Sequence, residues 1–222
     1  MKPYYEHGGV TIYHGDCREV LPTLTGVDAV VSDPPYGMAN DCDYARFSGG
    51  SQKSISRRGS GKTYQTGVIG DGEPFDPAPL LAFPRVVLWG FHHFAERLPV
   101  GSVLVWLKRL DPAFGSFLSD ADLAWMKGGC GVYCRRDLSM NADTNSRAHP
   151  TQKPVPLMGW CIERAKVPAG GLVLDPYMGS GTTLVAAKLH GFAAIGCEIE
   201  ERYCEIAAKR LSQEVMQFGA GQ

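Results

Sequence analysis

Two short stretches carry the side chains whose types and spacing could do chemistry. The first is residues 27–37, V-D-A-V-V-S-D-P-P-Y-G. Val30 and Val31 are β-branched and apolar, and they run through Ser32 into Asp33-Pro34-Pro35-Tyr36, a turn that can neither continue a strand nor start a helix. Two successive prolines fix φ and remove backbone N–H donors. The Asp33 carboxylate and the Pro34 carbonyl are thus left as acceptors at the end of a strand, with the ring of Tyr36 two residues on. Two acceptors and an aromatic face suit a planar group bearing an amino N–H₂, such as a nucleobase with an exocyclic amine. The same residues also read as a proline-rich surface turn after a buried strand, so a second motif must decide.

That motif is G-L-V-L-D-P-Y-M-G-S-G-T-T, residues 171–183. A strand over 171–174 is expected to end in a glycine turn, followed by a helix over 182–190, a strand over 193–196 and an acid, Glu198, about 20 residues on. Gly179 and Gly181 let the backbone approach a ligand closely. Thr182, Thr183 and the free N–H groups of the helix start offer donors to a carboxylate, and Glu198 can accept two ribose hydroxyls. The turn lacks the third glycine of pyrophosphate binders, which favours an adenosyl ligand with a terminal amino acid and weakens a nicotinamide-dependent oxidoreductase.

The elements that must position these turns alternate. Short strands are expected at 11–13, 85–89, 102–107 and 131–135, with helical turns over 18–24 broken by Pro22, a short helix over 91–98, a helix over 156–166 and a closing helix to Leu211. That alternation is the pattern of an open α/β sheet. With 222 residues, 44% hydrophobic and 20% charged, the chain has the make-up of one globular domain with one core. Its net charge of −1 requires any nucleic-acid contact to come from a local basic patch. Residues 41–71 supply one as a flexible basic loop, with Arg46, Lys53, Arg57, Arg58 and Lys62 and no acid from Tyr44 to Gly70, suited to phosphate contacts that form on binding. Lys108-Arg109 and Arg135-Arg136 could extend that surface or be ordinary solvated charge. The seven cysteines and the lack of a signal-like start point to a reducing cytoplasm, and no apolar run is long enough for a membrane span. Adjacent His92 and His93 point apart, and Cys130 and Cys134 have no second pair, so no metal site is expected.

D-P-P-Y at 33–36, then H-P-T-Q-K-P at 149–154 and D-P-Y-M-G-S-G-T-T at 175–183, resembles the S-adenosylmethionine-dependent DNA amino-methyltransferases. The order, target-amine motif first and cofactor motif last, resembles their beta group. The resemblance implies a Rossmann-like fold, a mostly parallel open sheet with helices on both faces and circularly permuted motifs, in one domain with a short target-recognition segment at about 110–148. It implies a cofactor site of Asp33, Asp175, Tyr177, Gly179, Ser180, Gly181, Thr182 and Thr183, with Glu198 on the ribose, Asp16 and Cys17 at the adenine, and Thr151 and Lys153 near the methionine end. Asp33, Pro34, Pro35 and Tyr36 would form the catalytic pocket for a base flipped out of double-stranded DNA. Asp16 reads equally as a helix N-cap. Two departures are Tyr177, where the family usually has Phe, and the shortness of the recognition segment. Adenine N6 is favoured over cytosine N4 because D-P-P-Y leans towards adenine in the family. Methylation of RNA or protein, a catalytically silent DNA-binding module, a homodimer and a cognate restriction enzyme are left open at this point.

Overall fold

The protein is described by a computed structural model covering residues 1–37, 72–115, 119–138 and 152–212. Arg46, Lys53, Arg57, Arg58, Lys62 and Thr151 lie outside these residues, as does the whole of the basic loop at 41–71. The described chain builds one eight-stranded sheet in the order β1-β2-β8-β7-β3-β4-β6-β5. The strands are β1 (Tyr5–His7), β2 (Val10–His14), β3 (Ala29–Ser32), β4 (Val86–Trp89), β5 (Gly101–Leu107), β6 (Ala121–Arg136), β7 (Leu172–Asp175) and β8 (Ala193–Glu198).

From β2 through β8, β7 and β3 to β4 every neighbour is parallel. At the ends, β1 pairs antiparallel with β2, and β6 enters antiparallel to β4. The long β6 is two strands in one. Residues 121–127 run antiparallel to β5, whereas 132–136 return parallel along its other edge. The reversal falls at Gly128 and Gly129, both at positive φ, 80° and 67°, which a residue with a Cβ adopts only with strain.

The central strands are buried on both faces, and their sequences show why. In β3 the β-branched Val30 and Val31 point to opposite sides. Val31 joins a core with Val87, Trp89 and Val173, and Val30 joins a second with Val86, Leu88 and Leu174. The first core is closed by three helices, α3 (Val155–Arg164), α4 (Thr182–Leu189) and α5 (Glu201–Ser212), through Leu157, Ile162, Leu184, Ala207 and Leu211. The second face carries smaller pieces among the described residues. These are α1 (Cys17–Val20), α2 (Ala78–Leu81) and single 3₁₀ turns, with Phe75, Leu80 and Phe94 as their buried contacts.

The sequence expectation of a helix over 91–98 is corrected to two 3₁₀ turns, Phe91–His93 and Ala95–Arg97. Phe94, between the two turns at φ −141°, leaves the helical path and divides the segment. The α2 turn and residues 121–127 were not anticipated. Ala78-Pro79-Leu80-Leu81 is too short for a helical period to show, and the run around Trp125 is interrupted by Asp120, Asp122 and Lys127.

Helix α4 can lie close to β8 because Gly196 has no side chain. A Cβ built there would sit 2.4 Å from the sulfur of Met178 and 2.8 Å from a methyl of Leu184, and both neighbours are buried in the same core. Gly196→Val is therefore expected to destabilise the fold by about 1–3 kcal/mol through overpacking. Urea unfolding should show this as a lower midpoint with an unchanged slope.

Candidate active site

Both chemistry-bearing turns leave the same end of the sheet, from adjacent strands. β3 and β7 are parallel, with Ala29 opposite Val173 and Val30 opposite Leu174, so Ser32-Asp33 and Asp175-Pro176 emerge side by side. Such paired strand ends are where open α/β sheets make their ligand crevices. The Ser32 hydroxyl donates to Asp175 Oδ1 at 2.6 Å across the two strands, and the amide of Tyr177 donates to the same oxygen at 3.2 Å. Burial pushes the Asp175 carboxyl up to about 6; hydrogen bonds from Ser32, Thr183 and Tyr177 oppose the shift, while the nearby Asp33 charge adds to it.

Asp33 is the centre of the first turn. Tyr36 folds back so that its hydroxyl donates to Asp33 Oδ1 at 2.5 Å. Lys153 Nζ donates to Oδ2 at 2.6 Å, and the side chains of Lys153 and Asp33 are only 8% and 17% exposed. The ammonium also lies over the ring of Trp89 at the end of β4, 5.6 Å from its centroid. Lys153 arrives from just before α3, whose Leu157, Met158 and Cys161 are fixed in the core. A carboxylate has about four lone-pair positions. Two are used here, so two remain for incoming N–H groups.

The ring of Tyr36 is braced from one side. His93 stacks on it with centroids 4.8 Å apart and planes 23° from parallel, and His92 follows at 3.9 Å from His93. The brace exists because position 90 is glycine. A Cβ there would lie 2.0 Å from a Tyr36 ring carbon. Sequence reasoning passed over Gly90 and His93, since a glycine after a strand gives no sign that a ring 54 positions earlier lies on it.

The glycine turn makes a separate cradle. Gly179 and Gly181 take positive φ, 50° and 77°, and a Cβ on Gly181 would meet Cβ of Ala207 at 2.7 Å. The turn is clamped from α5 by Arg210, whose Nη1 donates to the carbonyl of Ser180 at 2.6 Å and to the hydroxyls of Ser180 and Thr182 at 3.2 and 3.3 Å. Arg210, too, gave no signal in the sequence, where it belongs to an ordinary amphipathic helix. Gln152 meets the Ser180 hydroxyl at 3.2 Å, tying the Lys153 segment to the cradle.

Glu198, at the tip of β8, accepts from the amide of Gly179 on Oε2 at 3.0 Å and from that of Glu200 on Oε1 at 2.8 Å. Burial pushes its carboxyl above the ordinary glutamate value. The amide of Ile199 also hydrogen-bonds this carboxylate, and of its about four lone-pair positions one remains for a hydroxyl. Tyr177 is half-buried with its ring edge-on to Phe75, centroids 5.7 Å apart, and its hydroxyl is hydrogen-bonded to the thiol of Cys17. Burial raises both groups above their ordinary pKa values, and it raises the Cys161 thiol to about 12. None of these is a ready nucleophile. Asp16 caps α1, accepting the amide of Arg18 at 2.9 Å, and its carboxylate is also gripped by the guanidinium of Arg18.

Asp33, Tyr36, Lys153, Asp175, Tyr177, Gly179, Ser180, Gly181, Thr182, Thr183 and Glu198 are thus gathered at one end of neighbouring strands. Pro34 and Pro35 hold the turn between Asp33 and Tyr36, and Asp16 and Cys17 follow β2 on the far side of β8. Lys108, Arg109, Arg135 and Arg136 are each paired with an aspartate, namely Asp122, Asp120, Asp137 and Asp111, which spends charge that phosphates would otherwise meet.

The family profile described as DNA methylase matches residues 125–209. The Type II methyltransferase M.ScaI of Streptomyces caespitosus is 27% identical over 96% of this chain and 84% of its own length. Among solved structures, an M1.HpyAVI–SAM complex aligns with a TM-score of 0.57 and 22% identity, covering 90% of this chain and 99% of that one. The cytosine-N4-specific PvuII DNA methyltransferase aligns with a TM-score of 0.63 and 15% identity over 96% and 90% of the two chains.

The pKa of Asp175 yields a prediction with a definite sign. Its folded value of about 6 exceeds the ordinary unfolded value of about 4, so between those limits the native state holds the extra proton. The associated stability is complete below pH 4 and is lost as pH rises to 6, by up to about 3 kcal/mol. Asp175→Asn keeps the acceptor for Ser32 and should flatten that slope relative to the unsubstituted protein. Chemical denaturation of both proteins at half-unit steps from pH 4 to 7 checks it, and parallel curves would refute it.

Proposed function

We propose that this chain, which is similar to DNA methyltransferases, transfers a methyl group from S-adenosylmethionine to the exocyclic amine of a base in double-stranded DNA, with adenine N6 as the target. The observation that carries this reading is the adjacency of two turns with complementary chemistry, an acceptor pocket at Asp33 and a glycine cradle with a hydroxyl-accepting Glu198, on strands that are hydrogen-bonded neighbours.

The cradle fits an adenosyl amino acid. Gly179 and Gly181 hold the turn at positive φ, Glu198 has an acceptor position left for the ribose, and Tyr177 and Cys17 offer a wall towards the adenine. Bound S-adenosylmethionine supplies an electrophilic methyl carbon on a sulfonium. Everything else falls to the chain's own side chains.

An aromatic amine is a poor nucleophile because its lone pair is delocalised into the ring. Asp33 and the Pro34 carbonyl, each accepting one N–H, favour a pyramidal nitrogen whose lone pair points out of the ring plane. The negative charge of Asp33 also stabilises the positive charge that develops on that nitrogen. Tyr36, braced from behind by His93, offers its other face to the base. Stacking there offsets part of the few kcal/mol needed to flip the base from the duplex. Lys153 orients the carboxylate from the opposite side, and its proximity to Ser180 through Gln152 couples the two halves of the site. No covalent intermediate is required, in keeping with thiols held protonated by burial.

The preference for adenine rests on the D-P-P-Y sequence; cytosine N4 is the second reading, favoured by the fold likeness to a cytosine-N4 enzyme. Digesting DNA from cells that express the protein to nucleosides, and separating these by mass, is expected to show N6-methyladenine. N4-methylcytosine instead would reassign the base. Asp33→Ala should lower methyl transfer at least about 10³-fold while leaving cofactor affinity within a few-fold. Labelled-methyl incorporation and calorimetry on the same preparation test the two halves of that statement.

A further inference from the structure

At the opposite end of the sheet from the candidate active site lies a cavity of about 460 Å³, whose cationic lining residues are Arg85, Lys127, Arg164 and Lys166. It opens where β4 and β5 begin, at the Gly128–Gly129 reversal of β6 and beneath the C-terminus of α3. Among the described residues no carboxylate lines it. In a chain of net charge −1, four cations around one hollow are a local excess whose mutual repulsion disfavours the empty fold.

Internal contacts absorb this charge only in part. Lys127 Nζ donates to the carbonyls of Leu81 and Phe83 at 2.9 and 2.7 Å, and Arg85 reaches the carbonyl of Asp28 at 3.4 Å. These acceptors are neutral, so neither cation is compensated. Arg164 packs over the ring of Tyr133, its guanidinium carbon 3.6 Å from the centroid. Its Nε is buried and makes no hydrogen bond. Lys166 follows at φ 53°, the one non-glycine residue at positive φ among those described, in a position after a helix where glycine is usual. Lysine there is a poor choice for the backbone and a good one for adding charge to the hollow. Ser102, whose hydroxyl spans Gly128 and Gly131, completes a polar floor.

We propose that this cavity is a phosphate-binding site, distinct from the site at the other end of the strands. A guanidinium packed over an aromatic ring, flanked by lysines and with no competing carboxylate among the described residues, matches the several oxygens of a phosphate or phosphate ester. The volume accommodates a group larger than one phosphate. The phosphate belongs either to a small phosphate ester or to the backbone of a nucleic acid that passes round the sheet edge; the chemistry recognised is the same.

Calorimetric titration of the full chain with pyrophosphate in chloride buffer, S-adenosylmethionine being present in saturating amount to occupy the cradle, is expected to show one saturable site. R164Q/K166Q should weaken it at least tenfold, while the melting temperature and S-adenosylmethionine affinity stay as in the unsubstituted protein. In a second arm, the dependence of duplex DNA binding on salt is compared for the two proteins. A slope reduced by about two in the variant identifies DNA phosphates as the ligand, and an unchanged slope with lost pyrophosphate binding identifies a small phosphate ester. Absence of saturable pyrophosphate binding together with an unchanged slope, or pyrophosphate binding equal in both proteins, would overturn the assignment.

Discussion

The pairing of β3 with β7 is the constraint on which the rest of this structure depends. Each strand is only four residues long, and each ends in a turn that is useless without the other. Parallel pairing fixes the two turns at one edge, and the Ser32–Asp175 hydrogen bond sets how they face. That bond is buried, so its loss would leave the Ser32 hydroxyl unsatisfied in a dry place, a cost of about 1–3 kcal/mol. The sheet therefore holds the acceptor pocket and the cradle in one relation with little freedom to drift.

Around this pair the molecule separates work by face and by end. Long helices seal one face of the sheet, while short turns cover the other, where Gly90 and His93 set the plane of Tyr36. Substrate-facing chemistry occupies the C-terminal ends of the strands, and the uncompensated cations gather at the N-terminal ends. Arg210 and Gln152 illustrate the supporting layer. Neither carries the proposed chemistry, yet one pins the glycine turn from α5 and the other links it to the segment that delivers Lys153.

What could be seen in the sequence was whatever is written in local pattern. The β-branched runs of β3, β4 and β7, the proline pair, the glycine turn and Glu198 are each contiguous, and each stands where that reading put it. The resemblance to DNA methyltransferases rested on the same contiguous motifs. Long-range partners were illegible. Nothing near Lys153 in the chain announces Asp33, and nothing near His93 announces Tyr36, because those meetings are made by strand order and not by spacing. The 91–98 segment failed for the opposite reason: its aromatic content resembles a helix face, but the backbone at Phe94, φ −141°, breaks the run into two short turns. The most local feature, Asp16 as a cap, stands as the spacing suggested, with Arg18 closing over it.

The order of strands along the chain has a consequence for how the protein is made. Ser32 and Asp175 are separated by 143 positions, and β3 is flanked in the sheet by β7, a strand synthesised long after it. Until the last third of the polypeptide has left the ribosome, β3 has an open edge and both of its valines lack half their cover. Non-local parallel pairings of this sort form late and slowly, so the nascent N-terminal half waits with sticky surface exposed. A shortened product ending before β7 would be bereft of both activity and a closed core, making the molecule all-or-none at the level of translation.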